Sequence, residues 1–275
     1  MAFKDIVVHV DETARAALRF EIAAALAARH QAHLVALNVR SRAALAALAA
    51  SPYVPELDQM LTRQDAEAAA QAQAMVEQRA RDTGAVVEWR DVTGDLAESV
   101  ALHARYADLV VVGQTEPDAE ANQPLPDALV LAVGRPVLVV PYAGRFPTLG
   151  RRVLVAWNAS REATRAVHDA LPILQTADLV HVLAINPGHG MAGHGDIPGA
   201  DICLHLSRHG VKAVCEHIRT EDLDVGQMLL SRAADEDADL IVMGGYGRSR
   251  LREMVLGGAT HHLLEHMTVP VLLSH

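Results

Sequence analysis

The chain repeats itself, and the repeat limits its fold more than any other property. Asp5-Ile-Val-Val-His-Val-Asp-Glu-Thr13 resembles Arg152-Val-Leu-Val-Ala-Trp-Asn-Ala-Ser160. Ala85-Val-Val-Glu-Trp89 resembles Ala213-Val-Cys-Glu-His217. Ala107-Asp-Leu-Val-Val-Val-Gly113 resembles Ala238-Asp-Leu-Ile-Val-Met-Gly244, and Arg135-Pro-Val-Leu-Val-Val140 resembles Val269-Pro-Val-Leu-Leu-Ser274. The matches fall in the same order in both halves, which points to duplication and not to chance similarity of apolar strings. The join lies in Pro141-Tyr-Ala-Gly-Arg-Phe-Pro-Thr-Leu-Gly150, rich in the residues that interrupt regular structure. Two domains follow, 1–143 and 151–275.

Each half alternates short β-branched runs with Ala/Leu-rich segments. In the first half the strands are 6–10, 33–39, 86–92, 109–113 and 137–140. Continuous apolar runs of this kind suit strands buried on both faces. Thr13 is expected to cap a helix that runs to about His30. Residues 41–82 read as largely helical, with an interruption at 51–55, and further helices cover 95–105 and 127–133. In the second half the strands fall near 153–157, 179–185, 213–219, 240–243 and 269–273. Alternating βα units give a parallel sheet covered by helices, and ligands of such sheets sit at the carboxyl ends of the strands.

Composition removes several function classes. Formal charge is −10 and pI about 5.8, so the basic footprint of a nucleic-acid binder is missing. No apolar run approaches the ~20 residues needed to cross a bilayer. The start, Met-Ala-Phe-Lys-Asp-Ile-Val-Val, reads as a first strand without a signal-peptide layout, so a cytoplasmic protein is expected. Cys203 and Cys215 are the only cysteines and read as small buried hydrophobes in a reducing compartment.

The chemistry-bearing stretch is Met243-Gly-Gly-Tyr-Gly-Arg-Ser-Arg-Leu-Arg-Glu-Met-Val-Leu-Gly-Gly-Ala-Thr260. An apolar strand feeds a loop with glycines at 244, 245 and 247, and a second pair, 257 and 258, opens a helix. Glycines let a ligand approach the backbone, and a helix N-terminus attracts phosphate. The bland alternative is a tight βα turn without ligand. Arg248, Ser249, Arg250 and Arg252 stand near enough in sequence to meet phosphate oxygens, or form a solvated helix face. The Walker pattern is missing, and no base–nucleophile pair is evident, so no catalytic residue is assigned.

These residues resemble the universal stress protein family in its tandem form. Gly244, Gly247 and Gly257 hold the family's spacing of glycine, two residues, glycine, nine residues, glycine. The resemblance covers essentially the whole chain. It implies two domains, each an open five-stranded parallel sheet with helices on both faces, packed about a pseudo-two-fold axis. It implies pairing of the last strands, 137–140 with 269–273, within the chain, so that the protein is an intramolecular pseudo-dimer; a further homodimer and a protein partner are left open. It also implies ATP, or another adenine nucleotide, with no metal beyond nucleotide-bound Mg. Carried over residue by residue, Ala156, Trp157 and Asn158 surround the adenosine and Val182 offers backbone to adenine. Met243, Gly244, Tyr246, Gly247 and Arg248 follow ribose and phosphates, with Gly257, Gly258, Ala259 and Thr260 on the phosphates.

The chain departs from the family at Asn158, usually Asp, and at Gly258, usually Ser or Thr. Loss of a hydroxyl donor to a charged group costs roughly 1.5–3 kcal/mol. The first half keeps Asp11, but after Gly113 it runs Gln-Thr-Glu-Pro-Asp-Ala-Glu-Ala-Asn-Gln-Pro, without glycine and with three acids. That half is expected to have lost the nucleotide and to serve as a pairing domain. The leading expectation is a stress-response regulator that binds nucleotide in its second half. A nucleotide-free interaction scaffold is the alternative, and an enzyme of related α/β folds is a third reading. The loop 187–198 carries His189, His194 and Asp196 in a spacing that matches no closed zinc signature.

Overall fold

The computed structural model describes residues 2–40, 54–116, 125–187, 197–219, 224–247 and 258–275, with the side chains of 54–58 outside the description. It divides into two compact units, Ala2–Gly113 and Gln114–His275.

The first unit contains β1 (Asp5–Val10), α1 (Ala16–His30), β2 (His33–Arg40), α2 (Val54–Thr83), β3 (Val87–Thr93), α3 (Leu96–Ala104) and β4 (Leu109–Gly113). Its strands lie in the order β3-β2-β1-β4, and every pair is parallel. Ile6, Val8 and Val10 on β1, Leu34 and Leu37 on β2, and Leu109 to Val112 on β4 are fully buried. Each such side chain stabilises the fold by roughly 1.5–3 kcal/mol relative to exposure. Val86, expected in β3, is 87% exposed and lies before the strand.

Two local expectations are corrected. Thr13 does not cap α1: the N-cap position is Arg15, without a side-chain cap bond. The Thr13 hydroxyl and amide both donate to Asp11 Oδ1, so its oxygen serves a turn instead. The break expected at 51–55 does not extend to its last two residues, since α2 begins at Val54. Pro55 falls in the first helical turn, where its missing N–H costs nothing. Residues 41–53 lie outside the described residues.

The second unit contains α4 (Leu125–Ala132), β5 (Val137–Val140), β6 (Arg152–Ala156), α5 (Arg161–Leu174), β7 (Leu179–Ile185), α6 (Ala200–Arg208), β8 (Ala213–Ile218), α7 (Val225–Asp235), β9 (Leu240–Gly244), α8 (Ala259–His266) and β10 (Val271–Ser274). The strand order is β5-β10-β9-β6-β7-β8. β10-β9-β6-β7-β8 is parallel throughout, the five-stranded sheet expected of a repeat. β5 joins it antiparallel to β10, with Leu138 opposite Leu272. The last strands of the two repeats therefore pair within one chain, as expected. The join of the repeats, at 141–150, is not the boundary of the compact units. α4 and β5 come from the first repeat but pack with the second, because β5 completes its ladder on β10.

Gln114 secures this arrangement. It is 7% exposed. Its amide nitrogen donates to the carbonyls of Leu264 and Glu265, at 2.8 and 3.0 Å, and its oxygen accepts from Tyr142 N–H. Carbonyls of the last turn of α8, which lack helical partners, are satisfied this way.

Candidate functional site

A cleft open to solvent lies at the carboxyl ends of β6, β7 and β9. It is lined by Ala156, Trp157, Asn158, Leu183, Ile185, Val225, Leu229, Met243, Gly244 and Ala259. Six of these are sequence-expected site residues: Ala156, Trp157, Asn158, Met243, Gly244 and Ala259. Leu183, Ile185, Val225 and Leu229 were missed. The signal for two of them was the alternation along β7, which puts Leu183 and Ile185 on one face and Val182 on the other.

Val182 is not brought into the cleft. It is fully buried in the ladder, opposite Val155 on one side and Cys215 on the other. Its side chain faces Gly199, which precedes α6. The opposite faces of β7 thus meet different elements: Val182 meets the start of α6, while Leu183 shares the cleft with Val225 and Leu229 of α7.

The three described loop glycines differ in what requires them. A Cβ on Gly244 would stand 2.5 Å from the backbone of Glu162 and Ala163, so glycine there lets the start of α5 approach β9. A Cβ on Gly245 would stand 2.7 Å from Val130 Cγ1 of α4. Among the described residues, a Cβ on Gly247 would meet only Glu162 Oε2, at 3.9 Å. Of the three, Gly247 is thus the one that no described backbone presses upon, as close approach of a ligand needs.

Tyr246 fixes the turn between them. It adopts φ +46, in the left-handed region. Its hydroxyl donates to Asp127 Oδ1 of α4, and its amide donates to the Thr260 hydroxyl at 3.3 Å. Thr260 is 3% exposed and is engaged with the loop backbone. Gly258 occupies the N-cap position of α8, without a side-chain cap. Arg248, Ser249, Arg250, Arg252 and Gly257 lie outside the described residues, as do Asp118, Glu120, His189, His194 and Asp196.

Sequence reasoning also missed Glu162. It is 5% exposed and stands beside Gly244 and Gly247. Its Oε1 pairs with Arg161 at 3.1 Å. Burial pushes its carboxyl up, but its own backbone N–H, Arg161 and Ser160 hold it below the usual carboxylate range. Asn158 accepts a bond from Ser160 N–H at 3.1 Å, and Ser160 caps α5 by accepting from Ala163 N–H.

In the corresponding place of the first repeat, among the described residues, stands an arginine. Asp11 and Thr13 reproduce the turn made by Asn158 and Ser160. Eight residues beyond Asp11 stands Arg19, where the second repeat has Ala166. Arg19 is 5% exposed. Its guanidinium pairs with Asp11 at 2.7 Å and its Nε donates to His9 O at 3.3 Å. Nη1 lies 2.7 Å from where a Gly113 Cβ would be. Burial pushes the Asp11 carboxyl up, but Arg19, His9 and Thr13 together hold it below its ordinary value. Burial lowers His9 to about 4, so it is neutral at pH 7.

Among the described residues, His181, Glu216 and Glu236 bring metal-ligand atoms within 4.8 Å of one another. Each is already committed. His181 lies between the two carboxylates, at 3.5 and 3.2 Å, while Arg232 holds Glu216 at 2.8 Å and Arg152 faces Glu236 at 3.7 Å.

The model of the Universal stress protein family matches residues 2–141 and again 150–275. The chain belongs to the universal stress protein family. Both repeats are universal stress protein domains, and the chain is a tandem member. It is similar in fold to a universal stress protein from Archaeoglobus fulgidus DSM 4304, with TM-score 0.77 at 16% identity over 98% of this chain and 95% of that one. A functionally unknown protein from Pseudomonas aeruginosa PAO1 gives TM-score 0.62 at 18% identity, over 99% and 92%. A universal stress protein in complex with cAMP matches 52% of this chain and 100% of its own, at 20% identity and TM-score 0.36. Comparison with curated protein sequences finds no significant relative. No helix among the described residues is long and apolar enough to cross a membrane.

Proposed function

We propose that this universal stress protein is a stress-response regulator that binds ATP, or another adenine nucleotide, in its second repeat, while its first repeat is a non-binding pairing domain. The cleft carries this reading. It is a concave, mostly apolar site with one amide side chain at the carboxyl ends of the strands, the place where ligands of such sheets bind. Trp157, Leu183, Ile185, Leu229 and Met243 give apolar walls for a base. Asn158 gives a polar group at one edge, and the open side of Gly247 gives room for phosphate. Arg248, Gly257, Gly258, Ala259 and Thr260 are assigned to the phosphates, as the family resemblance implies.

The asymmetry between the repeats supports one site per chain. Arg19 occupies the first crevice with a cation already neutralised by Asp11, whereas the second repeat has Ala166 at that place and a cleft open to solvent. A nucleotide bound in the second repeat stabilises whichever conformation holds it better, and so acts as a signal.

Glu162 favours the second reading, a nucleotide-free scaffold, because a carboxylate beside Gly247 repels phosphate. Nucleotide-bound Mg²⁺ offsets that repulsion. Calorimetric titration of ATP with Mg²⁺, together with mass spectrometry of small molecules released on denaturation, separates the two. One nucleotide per chain supports the regulator. No heat and nothing released assigns the scaffold.

A further inference from the structure

The chain has two cysteines, and the fold brings them together. Cys203 lies on α6 and Cys215 on β8, joined by a connection that turns at Gly210 with φ +79. Both are free thiols; Cys215 is exposed and Cys203 is partly buried. Cys203 lies one helical turn beyond Gly199, to whose carbonyl its amide donates at 3.0 Å, and the Cys215 side chain is its neighbour. Gly199, with φ +85, presses the start of α6 onto this point: a Cβ there would lie 3.1 Å from Cys215 Cβ. β8 ends the strand order of its sheet, so Cys215 sits on an edge strand that a small oxidant can reach.

We propose that Cys203 and Cys215 are a peroxide-sensitive modification site that closes reversibly into an intrachain disulfide stapling α6 to β8. The exposed Cys215 thiolate attacks hydrogen peroxide. An S–O bond forms, the O–O bond breaks, and hydroxide leaves, giving a sulfenic acid. Cys203 then gives up its proton and attacks that sulfur. The S–S bond forms, the S–O bond breaks, and water leaves. Two thiols lose two electrons and two protons in total, and one peroxide becomes two waters.

The order of attack follows from the surroundings. Cys215 is the exposed thiol of the two, so it meets peroxide first, with Cys203 beside it as the resolving partner. Burial, and then the neighbouring Cys215, push the Cys203 thiol up to about 12. The bond would fall on the Val182 side of β7, opposite the face that lines the cleft, because Val182 is the register partner of Cys215. It therefore stands independently of whether nucleotide binds.

The test uses the full chain, reduced, freed of reductant, and exposed to one equivalent of hydrogen peroxide. Free thiols are then alkylated and the peptides mapped without reduction. The expected result is a linked peptide pair holding Cys203 and Cys215, with loss of two hydrogens per chain and full recovery of both thiols on reduction. In Cys203→Ser, dimedone is expected to label Cys215 as a trapped sulfenic acid. Full alkylation of both cysteines after peroxide, linkage only between chains, or irreversible sulfinic acid at Cys215 in the unsubstituted protein would each overturn the proposal. So would the lack of dimedone label in Cys203→Ser.

Discussion

The Arg19 guanidinium stands 2.7 Å from the Asp11 carboxylate and fills the space beside Gly113 that a side chain would need. This pair turns the first crevice into core. Arg19 is 6% and Asp11 26% exposed at the side chain. Removing one member of a buried pair leaves an uncompensated charge, which costs roughly 3–5 kcal/mol. Asp11→Ala is thus expected to lower stability by about 3 kcal/mol in urea denaturation, the low end because Asp11 is partly solvated. Arg19→Met, which removes the cation and keeps the volume, should cost less when combined with Asp11→Asn than Asp11→Ala does alone. A larger loss in the double variant would sink this account.

The same cluster makes stability depend on pH. His9 has a folded pKa of about 4, below its ordinary 6.5. Above pH 6.5 both states are neutral at this group and it adds no slope. Between 6.5 and 4 the unfolded chain binds a proton that the folded chain does not, so stability falls as pH falls, by up to roughly 3 kcal/mol. Asp11, whose folded pKa is depressed, acts in the same direction at lower pH: its contribution is lost as pH falls through the folded value. His30, His103 and His205 are also lowered, chiefly by burial, and add slope of the same sign. Urea midpoints across pH 4–7 should decline on acidification, and His9→Gln should flatten part of that decline.

The glycines at 244 and 247 should separate folding from binding. A Cβ at Gly244 would sit 2.5 Å from α5 backbone, which cannot yield cheaply. Gly244→Ala is expected to destabilise by about 1–3 kcal/mol, as overpacking does. At Gly247 the Cβ of a valine would meet, among the described residues, only Glu162 Oε2, so the thermal midpoint of Gly247→Val should stay close to that of the unsubstituted protein. The variant's adenine-nucleotide affinity should fall at least ten-fold. Equal loss of stability in both variants would contradict the distinction.

Glu162→Gln tests the charge beside the loop. The substitution keeps shape and removes the carboxylate that faces Gly247. ATP titrated in the presence of a chelator should bind several-fold tighter to the variant, while Mg²⁺-ATP should show a smaller gain. No difference in either condition would mean that phosphate does not approach Gly247.

Tyr246 holds the loop to α4 through Asp127. Tyr246→Phe removes one hydrogen bond to a charged group, worth roughly 1.5–3 kcal/mol. Amide hydrogen exchange at 244–247 should rise in the variant while exchange in β1 and β2 stays unchanged.

The repeat and the alternation of strands and helices were legible in the sequence, because they depend on local apolar periodicity and on order along the chain, which a linear text preserves. The pairing of the last strands came instead from the family resemblance. Six residues of the cleft were named through the family resemblance, which carries positions at strand ends and in the glycine loop onto this chain. Thr13 was misread because its hydroxyl has two possible partners, and only the turn at Asp11 decides between them. Glu162 is the second residue of α5 and has no motif of its own, so nothing in the text placed it beside Gly247. The compact units divide at 113–114 and not at the repeat join, because β5 finds its partner in β10, more than a hundred residues away.

By itself, then, the sequence determined a duplicated α/β protein with a glycine loop at the end of its ninth strand. Tertiary structure alone decided which glycine faces a helix and which faces open space, and which crevice is closed by its own arginine. Those outcomes turn on contacts of a few ångströms between elements remote in the chain, and local periodicity carries no information about such distances.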